Sequence, residues 1–258
     1  MKKNIVFIPN IKIEDGKRSQ SYKYSIKSWK HFCDKYNCEL LVWEDLLFPL
    51  ENMKITWQRY YLFDILKGNN INYDQILMVD ADTIVHPNCP NFFNETEYKY
   101  CGVMNDGCYE WVTRSIREFQ KELFSDFDPP NSWDYINGGF QIVNKKHKPF
   151  FDIMKEYYST NQEKVQHAIN KIKAGTDQTI INYMLKINKI DVKILPPCYN
   201  LQDLFKKNLL HIPGHSWWLD TLENMYSAGW VYHFNAIPKN NRHANYWIKR
   251  TYKELYEN

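Results

Sequence analysis

Asp80-Ala81-Asp82 sets two carboxylates one residue apart, directly after the apolar run Gln75-Ile76-Leu77-Met78-Val79. Such a pair can converge on one hard divalent cation if the backbone turns at the strand end. A cation held there would neutralise a diphosphate leaving group while an adjoining carbon gains positive charge. Alone, an Asp-x-Asp tripeptide is common, and Thr83 could simply mark a capped turn, so context decides. His233 follows the strand-like Trp230-Val231-Tyr232, and an imidazole beside two carboxylates suits a manganese-like ion better than a calcium-like one. A lone histidine is otherwise a hydrogen-bonded structural residue or simply exposed.

Further groups have site chemistry and a plain alternative. Asn137-Gly138-Gly139 offers an amide and two glycines that let a sugar approach the backbone, or else forms an ordinary turn before a strand. Lys239 could place an ammonium on a diphosphate, or be a loop lysine. Arg59 carries a guanidinium on a predicted helix, where a surface arginine is the plain reading. Asp177-Gln178 opens a helix, where Thr176 or Asp177 could cap its amides. The Trp217-Trp218 pair could stack on a sugar face or pack in a core.

The elements that must position these groups are legible from periodicity. Ile5 to Ile8 reads as a buried strand, residues 20–36 as an amphipathic helix, and Glu39 to Trp43 as a second strand, which together form a βαβ unit and imply a parallel sheet. A helix over Trp57 to Lys67 leads into the strand that delivers Asp80 at its carboxyl end, the edge where open α/β sheets bind ligands. Helices are expected over Val112 to Phe124, Pro149 to Tyr158, Glu163 to Lys173 and Asp177 to Lys186, with strands at Gly139 to Val143 and Asp191 to Leu195.

Composition narrows the class. Hydrophobic residues make up 44% of 258 and aromatics 16%, enough for a sizeable core. A net charge of +3 without a basic run gives no footprint for nucleic acid, which is excluded as the expected partner. Six cysteines without a CxxC pair argue against structural zinc. The N-terminal apolar run is too short for a signal peptide or a membrane span, so a cytoplasmic protein is expected. Residues 246–256 carry enough basic and aromatic side chains to touch a membrane surface, although packing of a terminal helix is the expected use.

The run from Tyr73 to Val85 resembles the Asp-x-Asp segment of glycosyltransferase family 8, which includes glycogenin and bacterial lipopolysaccharide sugar transferases. Tyr135 to Phe140, Gly175-Thr176-Asp177-Gln178, and His233 with Lys239 match further blocks in the same order, so the resemblance spans roughly Ile5 to Lys239. It implies a GT-A α/β fold with a mostly parallel sheet between helices, as a single domain over residues 1–258. In it residues up to about 105 bind nucleotide, about 106–243 bind acceptor, and a helix covers about 244–258. It implies a metal-dependent transferase moving a hexose from a nucleotide-diphosphate sugar, preferably a UDP-sugar, to a glycan or other hydroxyl acceptor with retention of configuration. Asp80, Asp82 and His233 would hold Mn2+ or Mg2+. Ile8, Arg59, Asp80, Ala81, Asp82, Asn137, Gly138, Gly139 and Lys239 would contact the donor, with Asp177 on sugar hydroxyls and Gln178 near the reacting carbon. The chain departs from that family after His233, where a glycine and Lys-Pro-Trp are replaced by Phe234 to Asn241.

Two other classes remain. Asp80-Ala81-Asp82-Thr83 could be the nucleophile loop of a haloacid-dehalogenase-like phosphatase, although a full βαβ unit precedes it and no Asp-Asp pair follows. A catalytically inactive carbohydrate-binding protein is the other.

Overall fold

The computed structural model describes residues 3–11, 20–173, 177–202, 204, 229–235, 237 and 244–257. Strand β1 (Lys3–Pro9) contains four consecutive, fully buried apolar residues, Ile5 to Ile8. Such a run is what a parallel strand covered on both faces requires. Helix α1 (Tyr22–Tyr36) buries Trp29, Phe32 and Cys33 and ends at Asn37, which takes a left-handed conformation. Strand β2 (Glu39–Trp43) then pairs parallel with β1, giving the expected βαβ unit.

The helix expected over Trp57 to Lys67 is broken. A short helix α2 (Ile55–Gln58) tightens into a 3-10 turn at Arg59–Tyr61 before α3 (Leu62–Gly68). The Gln58 amide is drawn into the preceding loop, accepting from Leu47 N–H and donating to the Phe48 and Met53 carbonyls. Arg59 Nε turns back to donate to the Thr56 carbonyl.

Strands β3 (Tyr73–Val79), β4 (Thr83–Val85) and β5 (Tyr100–Met104) precede helix α4 (Tyr109–Leu123). Strand β6 (Ile136–Asn144) leads into α5 (Lys148–Ile172), whose backbone is non-helical at Asn161. That kink separates the two helices expected there. Helix α6 (Gln178–Ile187), strands β7 (Val192–Leu195) and β8 (Val231–His233), and helix α7 (Ala244–Tyr256) complete the order.

Six strands form one sheet in the order β2-β1-β3-β6-β5-β7, parallel except for β6, which runs antiparallel to β3 and β5. Alternate residues of β1 and β3 feed two cores on opposite faces. Ile5, Phe7, Ile76 and Met78 join Trp57, Tyr60 and Phe151, while Val6, Ile8, Leu77 and Val79 join Trp29, Phe32 and Phe92. A smaller core, with Ile84, Tyr232, Trp247 and Ile248, seats α7 against β4 and β8. The terminal helix therefore uses its apolar face for packing. No helix among the described residues is long and apolar enough to cross a membrane.

Candidate metal and donor site

The chain leaves the sheet at Asp80. Its N–H donates to the Gly139 carbonyl at 3.0 Å, so Asp80 stays tied to β6 while Ala81 and Asp82 turn away. Thr83 closes the turn by donating its hydroxyl to the Asp80 carbonyl (2.8 Å) and accepting from the indole of Trp29 (2.9 Å). Side chains two residues apart on an extended strand are separated by almost 7 Å, and the turn brings these two carboxylates together.

Strand β4 then pairs antiparallel with β8, with Thr83 opposite His233, and Phe234 N–H donates to the Asp82 carbonyl at 2.9 Å. That register sets His233 Nε2 at 3.2 Å from Asp82 Oδ1 and 3.7 Å from Asp80 Oδ2. One ligating atom from each of the three residues lies within 4.8 Å of the others. Ligands about 2.1–2.3 Å from one small divalent ion stand about 3 Å apart at right angles and somewhat over 4 Å when opposed. The donor set therefore fits one such ion, and oxygen with imidazole suits manganese or magnesium chemistry better than thiolate-seeking metals. Gly139 is required here: a Cβ on it would stand 2.5 Å from both Asp80 Oδ2 and His233 Cε1.

Arg59 lines the same cleft. It is buried, donates through Nη1 to the Gly138 carbonyl (2.7 Å), pairs with Asp80 Oδ1 (3.1 Å) and lies 3.6 Å from Asp177 Oδ2. Burial opposes its charge, but the Asp80 and Asp177 carboxylates more than offset this and hold its pKa well above the ordinary arginine value. Tyr60 donates to Asp177 Oδ2 at 3.1 Å, and burial together with that carboxylate pushes the phenol pKa far up. Asp177 is the N-cap residue of α6, yet its side chain makes no capping hydrogen bond and instead faces Arg59 and Tyr60. The capping alternative for Asp177 is thereby corrected: a guanidinium and a phenol outcompete the helix amides for its oxygens. Removing one partner from a buried pair of this kind costs about 3–5 kcal/mol.

Asn137, Gly138 and Gly139 lie inside β6, not in a turn before it. Between the pairs Gly102–Gln141 and Met104–Ile136 strand β5 advances two residues and β6 five, so this stretch bulges out of the ladder. Its amides bond side chains instead. Gly138 N–H donates to Gln178 Oε1 (3.0 Å) and Gly139 N–H to Asn137 Oδ1 (2.9 Å). Gln178 Nε2 meets no hydrogen-bond partner among the described residues. These groups line a cleft of about 470 Å3 at the carboxyl edge of the parallel strands, shared by the Asp80–Asp82–His233 cluster, Arg59 and Asp177.

The sequence reading missed Asn200 and Gln202, both buried. Asn200 Oδ1 lies 3.1 Å from His233 Nδ1 and its Nδ2 donates to Asn137 Oδ1, while Gln202 Oε1 accepts from Asn137 Nδ2 at 2.8 Å. Their only local signal is a polar Asn-x-Gln in the loop after β7. Ile8 does not line the cleft: its side chain is fully buried in the core with Trp29, so only its backbone could reach a ligand. Ala81 is likewise a core side chain. Lys239, Gly175, Thr176 and the Trp217-Trp218 pair lie outside the described residues.

Residues 71–200 match the model of a family described as "Mannosyltransferase putative". No curated protein sequence matches the chain. Among solved structures, the chain is similar to a glycosyltransferase involved in the glycosylation of the major capsid of PBCV-1, with 10% identity and a TM-score of 0.53 over 96% of this chain and 99% of that one. It is also similar to the apo form of the glycosyltransferase GlyE of Streptococcus pneumoniae TIGR4, with 14% identity and a TM-score of 0.50, covering 100% of this chain and 64% of that one. At such identities the likeness is one of fold, the GT-A type.

Proposed function

The chain belongs to this mannosyltransferase family, whose model matches half of it, and on that premise we propose that it is a metal-dependent hexosyltransferase using a nucleotide-diphosphate sugar. The observation that carries the reading is the convergence of Asp80, Asp82 and His233 on the lining of the cleft. The family description names mannose, which supports a hexosyl donor; UDP as the nucleotide and retention of configuration rest on the resemblance to glycosyltransferase family 8.

Asp80, Asp82 and His233 would hold Mn2+ or Mg2+, which when bound would supply positive charge to the departing diphosphate. The chain's own residues do the rest. Arg59 fixes the rotamer of Asp80 and, through its bond to the Gly138 carbonyl, ties β6 to the same cleft. Gln178, whose Oε1 accepts from Gly138 N–H, lines the cleft and would stand near the reacting carbon of the sugar. Asp177, held by Tyr60 and Arg59, accepts from sugar hydroxyls. By the resemblance to glycosyltransferase family 8, Lys239 would place an ammonium on the diphosphate. A glycan or other hydroxyl acceptor enters from the α4 side, where Trp111 lines the cleft.

The test is hydrolysis of a panel of uridine and guanosine diphosphate hexoses with Mn2+, Mg2+ or chelator. Cleavage that needs the metal and disappears in Asp82→Ala is expected. Phosphate release from a simple phosphomonoester would favour phosphatase chemistry, and glycan binding indifferent to metal would favour a binding protein; either sinks the transferase reading.

A further inference from the structure

Hydrogen-bond bookkeeping around His233 determines which of its ring nitrogens carries the proton. A peptide N–H can only donate, so the Asn137 atom 2.9 Å from Gly139 N must be its oxygen. That oxygen cannot donate, so the Asn200 atom 3.1 Å from it must be the amide nitrogen. The other Asn200 atom is then Oδ1, an acceptor, and His233 Nδ1, 3.1 Å away, must carry hydrogen. A neutral imidazole has one N–H, which leaves the Nε2 lone pair facing Asp82 Oδ1 and Asp80 Oδ2.

A second anchor gives the same answer from the other end. The Met104 carbonyl can only accept, so the Gln202 atom 2.8 Å from it is Nε2. Gln202 Oε1 then faces Asn137, whose nearer atom must be Nδ2, and the Asn137 oxygen is again turned toward Gly139 and Asn200. Backbone geometry holds the carrier in place: Leu201 N–H donates to the Val231 carbonyl and His233 N–H to the Leu201 carbonyl, both at 2.8 Å. The bulge of β6 supplies the free Gly139 amide that starts the relay.

We propose that Asn200 is a positioning residue: the relay from Gly139 N–H through Asn137 and Asn200 holds His233 as the Nδ1–H tautomer and presents bare Nε2 to a divalent cation between Asp80 and Asp82. Its purpose rests on the metal-dependent reading above. Without Asn200 the imidazole is free to move its proton to Nε2, where it would donate to Asp82 and close the site against metal. Partners that orient a metal-bound histidine in this way are commonly worth about 10- to 100-fold in metal affinity.

The experiment has two readouts. Mn2+ affinity is measured by the electron paramagnetic resonance of free ion for wild type, Asn200→Ala, Asn200→Asp and Asp82→Ala, each checked for folding by circular dichroism. Ring 15N shifts of His233 are read in the metal-free protein above the titration of the imidazole. The proposal expects hydrogen on Nδ1 in wild type, a roughly 10- to 100-fold loss of affinity in Asn200→Ala with loss of the single tautomer, and only partial recovery in Asn200→Asp, which keeps an acceptor for Nδ1–H but loses the donor to the Asn137 oxygen. Hydrogen on Nε2 in wild type, or Mn2+ binding by folded Asn200→Ala equal to wild type, overturns it. If wild type binds Mn2+ no better than Asp82→Ala, the metal reading fails by itself, and the 15N shifts still decide the relay.

Discussion

Two buried histidines among the described residues, His147 and His233, are the same side chain put to opposite uses. His147 sits in the short turn after β6, where its Nδ1 accepts the Asn144 N–H at 3.0 Å and completes a capping box. Its ring stands edge-on to Tyr100, and burial, with a smaller push from Lys146, lowers its pKa to about 4. His233 faces the other way round: Nδ1 meets a side-chain oxygen and Nε2 meets two carboxylates. One imidazole is surrounded so as to stay neutral and fill a structural acceptor role. The other has its Nδ1 against an amide oxygen and its Nε2 turned to two carboxylates, so that nitrogen and oxygens converge where a divalent cation would sit. Residue type and burial are nearly identical, so the chemistry lies in what the neighbours donate or accept.

The comparison breaks most readily at the metal. His233→Ala is expected to lower metal-dependent donor turnover by about three orders of magnitude and to abolish thermal stabilisation by Mn2+, whereas His147→Gln leaves the Mn2+ response within a few-fold. Steady-state rates and melting curves with and without Mn2+ check this; equal losses in both variants would remove the distinction.

Gly139→Ala probes the same corner sterically. Its Cβ would stand 2.5 Å from His233 and Asp80, so a destabilisation of about 1–3 kcal/mol and weaker Mn2+ binding are expected. Gly138→Ala would meet Gln178 only at 3.5 Å, an ordinary contact, so its packing cost should be smaller. Urea unfolding of the pair ranks them, and the reverse order would contradict the close approach at Gly139.

The smallest effect is the pH dependence carried by His147. Its folded pKa lies below the ordinary value near 6.5, so the contribution of the neutral ring is complete above that value and is lost as pH falls toward about 4. Allowing for partial solvent screening, the loss is about 2 kcal/mol over that window. Unfolding free energies at pH 7 and pH 4 should differ less in His147→Gln than in wild type, and an unchanged difference would place the acid sensitivity elsewhere.

Most of the framework was legible along the chain. Ile5 to Ile8 and Gln75 to Val79 announce strands by continuous apolar runs, α1 shows its face through Trp29, Phe32 and Cys33, and Asp80 falls at the strand end where it was expected. The broken helix at Arg59 was not legible, because the pull on Gln58 comes from a loop ten residues away. Asn137 read as a turn residue because two glycines follow it, and only the mismatch with β5 keeps all three inside a strand.

The sequence by itself determined the elements, the sheet edge that carries the acidic pair, and the residue types suited to a divalent ion. Those depend on periodicity and strand ends, which are properties of short windows. The tertiary structure alone decided that Thr83 pairs opposite His233, that Asp177 faces Arg59 and Tyr60 rather than its own helix, and that Asn200 stands behind the imidazole. These contacts join segments tens to more than a hundred residues apart. Their register is set by strand pairing and by which polar groups can be satisfied in the interior, and no local window of the chain records either.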